Sequence, residues 1–587
     1  MRAIIPIYNE ADNISIKNKK ELIDFIKSED STQKMKTICS GDIERMLFGY
    51  AEEDLLNKMK QKKEAIHKLN EEERGFLVPG EISINTHGGE LTAGEYVLND
   101  NGYGTNGIEL IGYHRQKTRL MTKKEVVIKN NVSATNVLFK KMKRGESAFI
   151  IIENNASLIL ENSILDAITI IVKDGARLIL NNVQINGSVK GIEQQGEGFV
   201  ESNNVYFNGV AYEYHFENMN KNTAINIVDF EDKKSISDFL RRSMADNIEI
   251  DTNMIFDEEI KIKTPVNFVN KTDDDILLQF EQLNIMANFK TTGKIVVKSK
   301  ISISDVSDVN IDLSKIFGSI EVVDSQKIKI QGIYEKDPSS EICIFVKNSE
   351  TVINAKIYSK ENHGIGVETT NSKILFKNSL ISNFEASLLG KKEKENEEDE
   401  VLIKDEMEFS EVYFDGLRIT KTGVAIESKY AISKIEGKDI NITSSYKGMD
   451  ITGSQVLIDN MRISGISSTP ILFKETDAII GGSSIIENIA DGVKVENKSF
   501  VEMRNILFKD IEKHESISVM GATIILRKPV FENVLTAIYS RKGGFVVTED
   551  PKFINVKHSI QKEHGSLSQM DYIEYIEELK KREGVNE

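Results

Sequence analysis

An internal repeat of about 22 residues restricts the fold of this sequence more than any other feature. Towards the C-terminus, one apolar column recurs at that spacing at Ile463, Ile486, Phe508, Phe531 and Phe553. A parallel column of turn-forming residues consists of Asn488, Asp510, Asn533 and Asn555. A unit this short cannot bury its own inner face. Successive copies must therefore stack, with each strand pairing with the equivalent strand of the next repeat.

The repeat also occurs earlier, where its period is about 20 residues. The segments 155–165 and 175–185 are identical at five positions, and a third copy follows at 199–209. A further column, which marks one strand per repeat, consists of Val424, Met449, Ile471, Val493, Ile517 and Ile538. These runs are short, β-branched and alternate with period two. The pattern predicts an all-β solenoid, a right-handed parallel β-helix, with Asn and Asp in its tight turns.

The repeat style resembles the right-handed parallel β-helix, or pectin-lyase-like, superfamily over roughly residues 75 to 565. The segment 91–98, followed by 107–113, is similar to the opening of pectinesterase and pectate-lyase helices. A second opening begins at 235–240 as a short helix that leads into strands. We therefore expect two tandem solenoid segments, 75–228 and 229–565. One continuous helix with an irregular middle is the alternative.

Residues outside the solenoid have helical spacing of apolar side chains. In the region 1–74 this spacing is clearest at Ile43, Met46, Leu47 and Tyr50, which predicts a small helical head. In the region 566–587, Met570, Ile573, Ile576 and Leu579 predict a C-terminal capping helix. Capping protects the open end of a solenoid against edge-to-edge pairing.

Charge and hydropathy exclude several classes of function. The chain has 75 Lys+Arg against 92 Asp+Glu, a net charge of -17, without a basic block, which argues against nucleic-acid and anionic-membrane binding. It has no run of about 18 apolar residues, and residues 1–18 lack a Sec signal pattern. We expect a protein that is cytoplasmic at synthesis, with signal-independent export or incorporation in a virion as further alternatives. Cys39 and Cys343 allow no disulfide framework, and we predict neither a metal site nor a cofactor.

The resemblance implies a specific chemistry, because enzymes of this superfamily cleave acidic polysaccharides with carboxylates, or with an arginine base and calcium. His363, between Asn362 and Gly364, is similar to part of the Gly-His-Gly motif of polygalacturonases, but the preceding coil, 342–346, lacks their acid pair. Glycoside cleavage requires paired carboxylates as general acid and base. The weak catalytic candidates are Glu427, Asp450 and His363. Calcium is expected only if the protein is a lyase.

The strand column that begins at Gly366 is the more informative surface. If its apolar residues point inward, a row of charged residues points outward on neighbouring coils: Glu368, Glu427, Asp450, Lys474, Lys494 and Glu496. We predict that this row binds a ligand, either a glycan or an extended peptide. An ordinary solubilising face is the alternative.

These observations predict a non-catalytic β-helix recognition or structural protein. Its head, residues 1–74, would attach it to a protein assembly or secretion apparatus such as a phage tail or a contractile injection system. One alternative is a polysaccharide lyase or glycoside hydrolase that acts on acidic glycans. A second alternative is a secreted effector of unknown chemistry.

Overall fold

The computed structural model describes residues 108–122, 124–142, 147–392 and 409–563. It also gives the backbone of a few short strands outside these ranges: Ile7–Tyr8, Ser15–Ile16, Gly80–Ser83, Gly89–Leu91, Gly94–Asn99 and Gln569–Asp571. The described residues are nearly all β, with 66% strand and 2% helix. It forms a parallel β-solenoid of about 20 turns, which confirms the predicted fold class.

In the first segment, each coil contributes one short strand to each of three faces, here called faces one, two and three in chain order. Face one contains Glu125–Ile128, Ala148–Ile152, Ile168–Val172, Lys190–Gln194 and Tyr212–Met219. Face two contains Gly89–Leu91, Ile108–Gly112, Asn131–Thr135, Ser157–Glu161, Arg177–Asn181 and Phe199–Asn203. Face three contains Gly80–Ser83, Gly94–Asn99, Thr118–Thr122, Leu138–Lys141, Ile164–Asp166, Gln184–Asn186 and Tyr206–Asn208.

Near the predicted boundary between the segments, strand pairing stops on two faces and continues on the third. Faces two and three of the first segment end at Asn203 and Asn208, whereas face one continues because Tyr212–Met219 pairs in parallel with Met244–Ile250. Between these two strands lies the helix α1, Lys233–Arg242, at the position where the sequence predicts a short helix. Its N-cap is Asp232, whose carboxylate accepts a hydrogen bond from the Lys234 N–H at 3.1 Å.

The second segment is built from longer strands, many of which bend round a corner from one face to the next. In chain order they are Met244–Ile250, Met254–Ile262, Val266–Asn270, Ile276–Ile285, Phe289–Thr292, Ile295–Ser304, Asn310–Val323, Ile328–Lys336, Ile342–Lys347, Glu350–Tyr358, Ile365–Thr370, Lys373–Ser382, Ala386–Gly390, Ser410–Thr420, Val424–Lys429, Ile432–Thr443, Lys447–Thr452, Gln455–Asp459, Arg462–Ser464, Ile471–Lys474, Asp477–Gly481, Ile485–Glu487, Val493–Glu496, Phe500–Arg504, Leu507–Met520, Thr523–Arg527, Val530–Arg541, Phe545–Glu549, Lys552–Lys562 and Gln569–Asp571.

The apolar columns found in the sequence are the inward rows of the solenoid. Ile463 pairs with Ile486, and the row continues through Phe508 and Phe531 to Phe553. One member of the strand-marking column is displaced by two residues, because Ile426, and not Val424, pairs with Met449. The inward side chains form one continuous core that runs through both segments.

The predicted turn column is a ladder of amides in left-handed backbone. Asn488, Asp510, Asn533 and Asn555 all have φ between 51° and 54°. The side-chain amide of Asn533 donates to Asp510 at 2.8 Å, and that of Asn555 donates to Asn533 at 3.0 Å. Asn and Asp are selected here because their short polar side chains tolerate this conformation and can bond to the next coil.

The structure describes only small parts of the predicted N-terminal head and of the predicted C-terminal helix. The helical head, 1–74, lies outside the described residues, apart from two short strands, Ile7–Tyr8 and Ser15–Ile16, which pair antiparallel. Within the predicted C-terminal helix, Gln569–Asp571 instead form a strand that pairs with Phe545–Glu549, and 572–587 lie outside the described residues. In the part of the chain that the structure describes, no helix has the length and apolarity needed to cross a membrane.

Candidate functional site

In the second segment, the name face three is used for the column of strands that contains Ile365–Thr370, Ala386–Gly390, Val424–Lys429, Lys447–Thr452, Ile471–Lys474 and Val493–Glu496. The six predicted ligand-binding residues lie on its outer side, in two adjacent rows. The first row passes from Glu368 through Leu389 to Glu427, and then through Asp450 and Leu472 to Lys494. The second row contains Lys474 paired with Glu496. Side chains two residues apart on a strand share a face, so the two rows form one surface. The structure therefore brings the predicted residues together, although leucines interrupt the first row.

Each carboxylate of this surface has a lysine partner. The Lys391 Nζ lies 2.8 Å from Glu368 Oε2, and the Lys429 Nζ lies 3.0 Å from Glu427 Oε1. The Lys447 Nζ lies 3.1 Å from Asp450 Oδ2. The hydrogen bond to Glu427, together with the negative charge of that residue, raises the pKa of Lys429. In this arrangement Lys429 stays protonated at neutral pH, and each carboxylate has an ammonium group beside one of its oxygens.

Two further ion pairs extend the same arrangement along the face. The Lys474 Nζ lies 3.7 Å from Glu496 Oε2 on the next coil, and the Lys494 Nζ lies 2.5 Å from Asp491 Oδ2. Burial raises the pKa of Asp491, but hydrogen bonds from Lys494 and from the Gly492 N–H outweigh it, so that the pKa is lowered. We define the lysine strip as Lys391, Lys429, Lys447 and Lys474.

Exposure differs sharply between the two signs of charge. The side chains of Glu368, Glu427 and Asp450 are 6%, 25% and 12% exposed, whereas those of their partners Lys391, Lys429 and Lys447 are 50%, 70% and 35% exposed. The carboxylates lie against the sheet and the longer lysine stems reach past them, so that face three presents ammonium groups to the solvent. In the sequence this surface is a row of mixed positive and negative side chains. In the structure, the groups that extend furthest into the solvent are the lysine ammonium groups.

The catalytic candidates divide into two places. Glu427 and Asp450 pair directly across adjacent coils, with their Cα atoms about 4.8 Å apart as expected for neighbouring strands. His363 does not join them. It lies on the loop before Ile365–Thr370, its side chain is 65% exposed, and its Nδ1 is 3.9 Å from Glu385 Oε2. Glu427 and Asp450 are thus the only two of the three candidates that share a surface.

Sequence reasoning missed the lysine partners, although a local signal was present. Lys429 follows Glu427 by two residues, and Lys447 precedes Asp450 by three. Residues two apart on a strand have their side chains on the same side, so Glu427 and Lys429 both lie on the outer side. Lys447 is the first residue of its strand, and its long side chain reaches Asp450 three residues later. The partner of Glu368 had no such signal, because Lys391 lies on the following coil, after Ala386–Gly390.

Two other charged clusters of the described chain lie outside face three. Glu335 is almost fully buried and is bound by Lys360, Lys315 and the Tyr358 hydroxyl at 2.6, 3.0 and 2.7 Å. At the segment boundary, His215 Nε2 is 3.1 Å from Asp246 Oδ2 and its Nδ1 is 2.8 Å from the Lys190 Nζ. Both clusters join strands of neighbouring coils, so we assign them to the stability of the solenoid.

No group of three or more His, Cys, Asp and Glu side chains converges as a metal site among the residues described by the structure. Cys343 is buried, and burial raises the pKa of its thiol to about 12. Comparison with known proteins gives no relative, since no family model, no curated protein and no solved structure matches the chain.

Proposed function

We propose that this protein is a non-catalytic β-helix recognition or structural protein in the style of the pectin-lyase-like superfamily, and that face three binds an acidic glycan. The supporting observation is the lysine strip, which exposes ammonium groups on successive coils above carboxylates that are largely covered. An extended anionic polymer matches a row of cations that repeats with the coil.

The ion pairs favour recognition over catalysis. A glycosidase needs one carboxyl group as proton donor and a second, facing carboxylate as base or nucleophile. Here Glu427 and Asp450 are each occupied by a lysine of their own strand, at 3.0 and 3.1 Å. The lysines, in contrast, are directed to the solvent and are free to contact a bound polymer as well as their carboxylate.

Binding of polygalacturonate is expected to weaken about two- to fivefold in Lys429→Ala, because one exposed ammonium contributes roughly 0.5–1 kcal/mol. The double variant Lys391→Ala/Lys429→Ala is expected to lose about tenfold or more. Affinity in the wild-type protein should also fall with added salt, because the contacts are exposed. Isothermal titration calorimetry with the full chain measures all three effects.

The matched control is Lys327→Ala, since this lysine is 67% exposed and paired with Asp308 but lies at a turn away from face three. It should bind polygalacturonate like the wild-type protein, and neutral dextran should not bind to any variant. If Lys327→Ala and Lys429→Ala lose the same affinity for polygalacturonate, binding depends only on the net charge of the protein. That result would contradict a site on face three.

The second part of the proposal concerns residues 1–74, which we infer attach the protein to a larger assembly or secretion apparatus, by a signal-independent route or as part of a virion. Its support is the helical spacing of that region in the sequence. Deletion of 1–74 is expected to abolish co-purification with the native assembly while the far-ultraviolet spectrum and melting of the solenoid persist. Pull-down of both forms, with mass spectrometry of retained proteins, measures this. Loss of the solenoid spectrum in the deleted form would identify 1–74 as a cap instead.

Cleavage of acidic glycans is the second candidate function, because Glu427 and Asp450 are direct neighbours in the ladder. In a lyase, calcium would be an additional requirement. The test is turnover of polygalacturonate, with and without calcium, by wild-type protein, Glu427→Gln and Asp450→Asn. Turnover that both substitutions abolish in a folded protein would replace recognition with catalysis. Turnover that neither changes would remove these two residues from any active site.

A further inference from the structure

The last long strand of the solenoid, Lys552–Lys562, has an open edge. It pairs in parallel with Val530–Arg541 on one side, and among the described residues no strand pairs with its other side. Every residue of the strand is exposed or half-buried, in contrast to the buried alternation of the preceding coils. Along these eleven residues, the backbone N–H and C=O groups that point away from Val530–Arg541 have no strand partner among the described residues, and such groups are a template for another strand.

Among the described residues, no further coil covers the apolar core at this end. Phe531 and Phe508 are fully buried, and Phe553 continues their stack at a ring distance of 5.5 Å from Phe531. Phe553 is nevertheless 37% exposed. Val556 and Ile560 are only partly buried against the core. The end therefore presents both a strand edge and uncovered core side chains.

Charge identifies the kind of strand that fits. The edge carries Lys552, Lys557 and Lys562, and no Asp or Glu lies between them. In an antiparallel pair of two identical edges centred on Lys557, Lys552 would face Lys562 and Lys557 would face its own copy. Like charges directly opposite each other destabilise a strand pair, whereas opposite charges stabilise it. The three lysines thus disfavour self-pairing and favour an acidic strand.

We propose that this end binds an extended acidic segment of a partner protein, which adds one further strand to the ladder. The register specifies its pattern: acidic residues beside Lys552, Lys557 and Lys562, and apolar residues beside Phe553, Val556 and Ile560. Asn or Asp is expected beside Asn555, where it would extend the amide ladder of Asp510, Asn533 and Asn555. This surface lies at the end of the solenoid, four coils beyond Lys474 of the lysine strip, and does not depend on glycan binding.

The test uses the full chain and a labelled synthetic peptide, Glu-Phe-Thr-Asn-Val-Glu-Thr-Ser-Ile-Thr-Glu. In this peptide glutamates replace the three lysines of the edge sequence, and threonines replace Ile554, His558 and Gln561. The control peptide has lysine at those three positions. In fluorescence anisotropy, the acidic peptide is expected to bind about tenfold more tightly than the control, since three pairs change sign. Val556→Asp should abolish its binding, while Ile479→Asp, an exposed apolar position on face one, should leave it unchanged.

Equal affinity for the two peptides, or no binding of either, would overturn the proposal. The same measurement on a chain that ends at Asp571 tests whether the protein's own C-terminal residues occupy the edge. If the shortened chain binds the acidic peptide and the full chain does not, the edge is taken by the protein's own residues 572–587, and a partner strand is excluded.

Discussion

Replacement of Glu335 by glutamine is expected to lower the free energy of unfolding by about 2–3 kcal/mol at neutral pH. Burial raises the pKa of this carboxyl group, but hydrogen bonds from Lys360, Tyr358 and Lys315 outweigh it and lower the pKa from 4.5 to about 2. The lysine partners are 74% and 38% exposed, and solvent screening places the effect towards the lower value.

The pH dependence of this loss has a defined sign. A carboxylate whose pKa is depressed in the folded state stabilises it above the unfolded pKa. The difference between wild type and Glu335→Gln should therefore be complete above pH 4.5 and disappear as the pH falls towards 2. Urea unfolding at several pH values, followed by circular dichroism, measures the difference directly.

Tyr358→Phe is the control for the Glu335 prediction. It removes one neutral donor, at 2.7 Å, and leaves both lysines, so its cost should be about 1 kcal/mol. A loss in Glu335→Gln that does not change with pH would show that packing, and not charge, accounts for the stabilisation.

Phe531→Ala is expected to cost about 3–5 kcal/mol, because it removes a fully buried ring and leaves a cavity. The ring is stacked between Phe508 and Phe553, at 5.0 and 5.5 Å. Repeats of a solenoid contact only their neighbours, so the damage should be local. Hydrogen exchange should accelerate in Leu507–Met520 and Val530–Arg541, and should not change in Ile168–Val172.

Phe553→Ala is the matched control for this position, with the same side chain in the same stack. Since Phe553 is 37% exposed, its truncation should cost roughly half as much or less. An equal cost for the two substitutions would mean that another chain segment covers Phe553 in solution. That result would also contradict an open C-terminal edge.

The sequence predicted the coil-to-coil pairing in detail. The row from Ile463 to Phe553 and the turn column from Asn488 to Asn555 were both found from spacing alone, and both are ladders in the structure. This was possible because each coil pairs with the next one at equivalent positions, so a three-dimensional contact becomes a fixed interval along the chain. The position chosen at Val424 was wrong by two residues, because Ile426 is the residue that pairs with Met449.

The candidate site was only partly predictable. Outward residues of face three follow from period-two alternation, which placed Glu427 and Asp450 side by side correctly. Alternation does not show which outward side chains are covered. It therefore gave a row of mixed charge, whereas the structure gives covered carboxylates beneath an exposed lysine strip.

The sequence by itself determined a stacked parallel β-solenoid and its inward rows. Every repeat buries equivalent positions, so apolar residues recur along the chain at a fixed spacing. Only the tertiary structure decided how the segments join, which ion pairs form on face three and where the core is open. Those features depend on the path of the chain at its corners, which carries Lys391 from one coil to Glu368 of another and leaves Phe553 uncovered. A corner has no period, so its geometry is fixed by packing and not by the repeat.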